Sequence, residues 1–213
     1  MENGKKQPIS YLEEIKRKGV HLSSLWMVAA TLLLGKHQWI SCVLFGALLL
    51  LTLVSEHDYA NGGKYLGRLY GKLFGKMLRD EVKPGQWIVS GGAPVLAAAL
   101  LVNLLFVPFI AAAAMAVMLT GDAAAALIGR KFGKHKAVNG KSWEGFFSFI
   151  IVGYGAMAAV LAIVGVQGRY FLWGIAGVIL AAVAELFQKQ LKVDDNFSIP
   201  LCSGAVLFVC SLF

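Results

Sequence analysis

The sequence predicts an all-α integral membrane protein of about seven transmembrane helices, with a cytoplasmic N-terminus and one domain over residues 1–213. Three observations carry that reading. First, 58% of the 213 residues are hydrophobic and the mean hydropathy is +0.68, whereas a soluble domain is about 45–50% apolar. Second, the apolar residues gather in runs near 22–35, 38–55, 86–106, 107–128, 146–166, 170–187 and 199–213. A spanning helix needs about 20 largely apolar residues. Most runs qualify and the first and last are short, so six or eight helices are the alternatives. Third, eighteen of the twenty Lys and Arg residues fall between alternate runs, and only Lys36 and Arg169 fall on the opposite side. Short basic loops stay cytoplasmic.

The elements follow in order. Residues 1–19 are too polar for a signal peptide, so the N-terminal segment is expected to be retained. Gly35-Lys36-His37-Gln38 reads as a tight outer turn between the first two helices. In 60–80, Leu66, Leu69, Tyr70, Leu73, Phe74 and Met77 recur at helical spacing. Lys64, Arg68, Lys72, Lys76 and Arg79 occupy the other faces. That pattern predicts an amphipathic helix in the membrane interface, either touching headgroups or packed on the bundle as a connector. Gly91, Gly92 and Pro94 predict a kink in the third helix. Asn103, near its outer end, is expected to hydrogen-bond a neighbouring helix. Gly153, Gly155, Gly174 and Gly177 suit close helix packing. Pro200 suits the first turn of the last helix. Cys42, Cys202 and Cys210 lie in apolar runs without metal-ligand spacing, as buried hydrophobes do.

The acids are less ordinary. All twelve lie in or beside the cytoplasmic segments, and the net charge of +8 gathers there too. That face attracts anionic headgroups and nucleotides; no nucleic-acid partner is expected. Asp122 and Glu185 sit inside apolar runs, where a charge costs about 2.5–3.5 kcal/mol and marks function more often than not. Asp58, Asp80 and Glu81 read as surface ion pairs. With Glu56, Glu144, Asp194 and Asp195, the embedded acids arrive at one depth. Hard cations such as Mg²⁺ or Mn²⁺ take such ligands together with substrate phosphates. The loop Gly129-Arg130-Lys131-Phe132-Gly133-Lys134-His135-Lys136 combines glycine with cations, as a phosphate cradle needs. Lys141-Ser142 then opens a helix whose N-terminus favours an anion. The order is not that of a P-loop. His21 can shuttle a proton if it meets the acids. A transporter would place its charges near the midplane in repeated halves; here they gather at one face and no internal repeat is visible.

These motifs resemble a known family. RKxxH at 17–21, GDxxA at 121–125, GRxxGKHK at 129–136, GKSxEG at 140–145 and E…DDNxxIP at 185–200 are similar to those of the dolichol kinase, phytol kinase and CTP-dependent diacylglycerol kinase family. The resemblance covers residues 17–201. It implies CTP-dependent phosphorylation of a membrane lipid alcohol at the cytoplasmic face, with Mg²⁺ or Mn²⁺. On that reading Asp122, Glu185 and Asp195 hold the metal. Gly121, Arg130, Gly133, Lys134, Lys141, Ser142 and Asn196 hold the nucleotide. Asp122, Glu144 and His21 are the catalytic candidates, with Glu144 or His21 as the base. The alternative is a phosphatidate cytidylyltransferase making CDP-diacylglycerol. That family has a similar GD…GKHK…WEG block, but its C-terminal KD and PGHGG signature is absent here. The lipid and the oligomeric state stay open.

Overall fold

The computed structural model describes residues 10–64, 66–74 and 91–213. Every regular element among them is helical; Lys136 and Ser142 alone form an isolated antiparallel bridge. The helices are α1 Tyr11–Ser23, α2 Trp26–Leu33, α3 Gln38–Ala60, α4 Leu66–Phe74, α5 Gly92–Leu105, α6 Pro108–Phe132, α7 Trp143–Val164, α8 Arg169–Leu186, α9 Gln188–Leu191 and α10 Asp195–Cys210. Among the described residues four helices are long and apolar enough to cross a membrane: α3 with the turn before it, α6, α7 and α8. Helices α5 and α10 are apolar but shorter. Trp39, Val43, Leu50, Leu51 and Val54 of α3, with Ile151 and Ile163 of α7 and Leu172 of α8, are exposed. Lipid is the solvent that accepts such faces.

Helix α6 is the centre. Buried residues make up 72% of its apolar window, against 17% for α3. Its run Ala111–Ala114 presents methyl groups only, and neighbouring backbones approach closely, the usual device where lipid gives helices no hydrophobic reason to associate. Helices α1, α2, α5, α7 and α10 all pack on α6; α8 packs on α7 and α10, and α3 on α4 and α5. Gly121 and Gly153 serve the α6–α7 contact. A Cβ at Gly121 would come within 3.0 Å of the Phe149 ring. Gly177 brings α8 to 3.2 Å of the Ser203 carbonyl on α10 by the same measure. Asn103 is buried and donates to Thr31 Oγ1 at 3.2 Å, tying α5 to α2, as its sequence position led one to expect.

Four elements differ from the sequence expectation. Helix α1 begins at Tyr11, well before the first apolar run, with Ser10 and Glu13 forming a capping box. The backbone and side chain of Ser10 hydrogen-bond the Glu13 carboxyl and hold it below the usual range. Between α1 and α2 the backbone stays helical through Ser24 and Leu25, so the first run continues α1 across a tight turn. Pro94 lies in the first turn of α5, where its missing N–H costs nothing, and marks a start instead of a kink. Helix α10 begins at Asp195, capped by Asp194, so Pro200 falls inside the helix and not in its first turn. Helix α4 packs against the end of α3: Gly67 and Gly71 lie against Tyr59, and the Tyr70 hydroxyl donates to Glu56 at 3.1 Å. Arg68 and Lys72 are exposed beside Leu66 and Leu69. Lys76, Met77 and Arg79, the rest of the expected amphipathic helix, lie outside the described residues, as do residues 86–90 of the third apolar run.

Candidate functional site

The polar end of the bundle is built on one face of α6. Asp122, Ala125, Ala126, Gly129, Arg130 and Gly133 recur at three- and four-residue steps, so they stack in a stripe. That stripe forms one wall of a cavity of about 480 Å³. Arg17 and Lys18 of α1 supply a second wall. Lys136, Lys141 and Ser142 of the connecting loop, Glu185 of α8, Gln188 and Asp195 close it. Five cations and three carboxylates thus face one space.

Glycine makes the loop possible. A Cβ at Gly145 would come within 2.9 Å of the Ala125 carbonyl, and one at Gly133 would overlap the Gly129 carbonyl. Helices α6 and α7 therefore cross backbone to backbone. The loop between them folds back on itself, with Ala137 N donating to Lys141 O at 2.9 Å and Trp143 N to His135 O at 3.0 Å. Asn139 turns it in a left-handed conformation (φ 63°) that Asn tolerates better than most residues. The Asn139 amide donates to Leu186 O at 2.9 Å and to Gln190 Oε1 at 2.7 Å, pinning the tip to α8 and α9. Ser142 caps α7 by accepting from Gly145 N at 3.1 Å.

The charges are arranged in pairs. Lys18 Nζ lies 2.5 Å from Asp122 Oδ2, with both side chains buried. His21 Nε2 approaches the same oxygen to 3.3 Å. Lys141 Nζ donates to Glu185 Oε1 at 2.6 Å and also to the Glu185 backbone carbonyl. Arg17 and Arg130 share Glu14, at 2.5 and 3.1 Å. Taking two charges out of water is costly, and such pairs persist only when their geometry recovers that cost.

Of the residues singled out from sequence, Asp122, Arg130, Gly133, Lys141, Ser142, Glu185 and Asp195 come together on the cavity wall. His21 stands beside Asp122. The others lie elsewhere. Gly121 faces Phe149 in the α6–α7 contact. Lys134 is exposed. Asn196 donates from its amide to Asp194 at 2.7 Å, inside the α10 cap. Glu144 accepts from Lys134 N and His135 N, each at 3.1 Å, and lies 2.7 Å from His135 Nδ1. Its carboxylate folds the loop and is not part of the cavity wall. Sequence reading missed Glu14, Arg17 and Lys18 as site residues. Their signal was spacing: Glu14, Arg17, Lys18 and His21 share one face of α1, while Leu12, Ile15 and Val20 are exposed on the others. This helix buries Glu14 and Lys18 while Leu12, Ile15 and Val20 are exposed beside Glu13 and Lys16, so hydropathy alone hides it.

The expected three-carboxylate metal site meets a limit. Among the described residues no three His, Cys, Asp or Glu side chains converge on one ion position. Asp122 and Glu185 are each held by a lysine. A caged ion does not fit these residues. An ion delivered on phosphates needs only one or two carboxylates; among the described residues Asp195 is the cavity-wall carboxylate that no lysine holds.

No protein-family model matches the chain, and no solved structure matches it. Two relatives run nearly end to end with it. The uncharacterized protein RP860 of Rickettsia prowazekii is 28% identical over 199 residues, 92% of this chain and 94% of the relative. The uncharacterized protein MJ1137 of Methanocaldococcus jannaschii is 26% identical over 208 residues, 94% of this chain and 98% of the relative.

Proposed function

We propose that this chain is a membrane kinase that transfers a phosphoryl group from CTP to a lipid alcohol, of the isoprenoid or diacylglycerol type, at the cytoplasmic face. One observation carries the reading: a cavity of about 480 Å³ lined by five cations and three carboxylates, at one end of a bundle that is otherwise apolar. Phosphoryl transfer asks a protein mainly for positioning and charge neutralisation, and this wall supplies both. The choice of CTP rests on the motif resemblance alone. The cytoplasmic side rests on the basic loops, which fit seven spans with the N-terminus inside.

In this reading Arg130 and Lys141 hold the phosphates, with Lys136 beside them. Asp195 would hold a Mg²⁺ or Mn²⁺ ion carried by the nucleotide, with Asp122 beside it in its pair with Lys18, and the ion would supply neutralisation of the phosphate charge. Lys18 pairs with the Asp122 carboxylate on the cavity wall. His21 receives the proton of the lipid hydroxyl at Nε2, a buried nitrogen that has no hydrogen-bond partner among the described residues and lies 3.3 Å from Asp122 Oδ2. Glu144 does not take that role, because its carboxylate already accepts the loop's donors.

The test is nucleotide consumption by the purified chain in nanodiscs with CTP and Mg²⁺, with and without polyprenols, phytol, diacylglycerol and phosphatidic acid. Consumption that requires an alcohol lipid is expected. A folded protein that consumes no CTP whichever of these lipids is present would overturn the enzyme reading in favour of a non-enzymatic membrane protein.

A further inference from the structure

Glu14 is 4% exposed, yet its two carboxylate oxygens serve different helices. Oε1 accepts from Arg17 Nη2 at 2.5 Å, within α1, and Oε2 accepts from Arg130 Nη1 at 3.1 Å, on α6. Both arginines line the cavity and remain about one-third exposed in their side chains. A guanidinium carries five N–H donors in a fixed plane, and each ring of donors spends one nitrogen on Glu14 here. Two guanidiniums would repel each other without a shared counter-ion. Glu14 supplies it, and the donors that Glu14 does not use belong to two side chains that line the cavity.

We propose that Glu14 makes Arg17 and Arg130 into a two-guanidinium clamp for a polyphosphate chain, so that the N-terminal helix supplies half of the anion site. The proposal rests on the nucleotide reading and deepens it: Arg17 is a phosphate ligand and Glu14 a positioning residue. Planar two-point donors suit phosphate oxygens, which a lysine meets only as a point charge. The clamp also explains why α1 turns its charged face inward. An arginine that only anchored the helix at a membrane surface would point toward headgroups and would need no buried carboxylate.

Inorganic tripolyphosphate is the probe, because it needs neither lipid nor turnover. Its affinity for the purified full chain is measured by calorimetry for wild type, Arg17→Met, Arg17→Lys and Glu14→Gln, with melting temperature and monodispersity recorded for each. Arg17→Met is expected to weaken binding about 10-fold or more, the scale of a lost charge-assisted hydrogen bond. Arg17→Lys, which keeps the charge and loses the fork, is expected to weaken it as well, and it tests the clamp even if Glu14→Gln fails to fold. Glu14→Gln discriminates by sign. Bulk charge alone predicts tighter binding once an acid is removed, whereas a clamp that has lost its support binds several-fold more weakly. Tighter or unchanged binding in a folded Glu14→Gln, or wild-type affinity in Arg17→Lys, would overturn the clamp while leaving the nucleotide site standing. Absence of tripolyphosphate binding by wild type would overturn the nucleotide site itself, and the clamp with it.

Discussion

Asp122→Asn lowers turnover at least about 100-fold, the scale seen when a main electrostatic element of an active site is removed. Asp122 is the carboxylate on which three parts of the site depend. It pairs with buried Lys18 at 2.5 Å, lies 3.3 Å from His21 and stands on the cavity wall opposite the cationic loop. The amide keeps the shape and removes the charge. It also strands Lys18, and breaking one side of a buried ion pair costs about 3–5 kcal/mol. Chemistry and stability must therefore be separated. The double variant Lys18→Met with Asp122→Asn has no stranded charge, so its melting temperature is expected to recover toward wild type while turnover stays low. Turnover and thermal unfolding measured on the same preparations read out both. Near-normal turnover in a folded Asp122→Asn would remove Asp122 from the chemistry.

Lys141→Met weakens nucleotide binding by roughly 1.5–3 kcal/mol, about 10- to 150-fold, for loss of a charge-assisted contact. Lys141 begins where the loop meets α7 and reaches across to both the side chain and the backbone of Glu185. Its loss therefore also loosens the loop from α8. Two comparisons isolate the charge. Asn139→Ala removes the pin between the loop tip and Leu186 but no charge; its melting temperature should fall with much less effect on affinity. Lys72→Met changes an exposed cation on α4 and should leave nucleotide affinity within error. Titration of CTP against each variant is the measurement. Equal losses at Lys141 and Lys72 would mean that only overall positive charge attracts the nucleotide.

How much of this was legible in the sequence depends on the kind of signal. Helix positions from α3 to α8 followed from hydropathy, because a lipid-facing helix must satisfy its own backbone and present apolar side chains over its length. The grouping of Asp122, Glu185 and Asp195 followed from their places at the ends of the apolar runs that border the basic loops. The start of α1 did not follow, since its outward apolar residues are interleaved with an inward charged face. Nor did the pairing: sequence puts Lys18 and Asp122 far apart in the chain, and only folding shows that the lysine claims the carboxylate assigned to a metal. Glu144 and Asn196 had the right residue types for catalysis or ligand contact. The same chemistry that qualifies them, strong acceptance and donation of hydrogen bonds, is spent on holding a tight loop and a helix cap. Gly121 and Gly133 illustrate the same ambiguity. Glycine permits close approach, and here the approaching group is Phe149 in one case and backbone in the other.

The central claim, that this cavity moves a terminal phosphoryl group onto a lipid alcohol, is tested most directly by following the phosphorus. The purified chain in nanodiscs receives CTP labelled at the α or the γ position, with Mg²⁺ and a panel of isoprenoid alcohols, diacylglycerol and phosphatidic acid. Attack by a lipid hydroxyl on the γ-phosphorus breaks the bond to the β-phosphate, so the account predicts γ label in a lipid monophosphate and release of CDP. Label from the α position in the lipid, with release of pyrophosphate, would contradict it and identify a phosphatidate cytidylyltransferase instead.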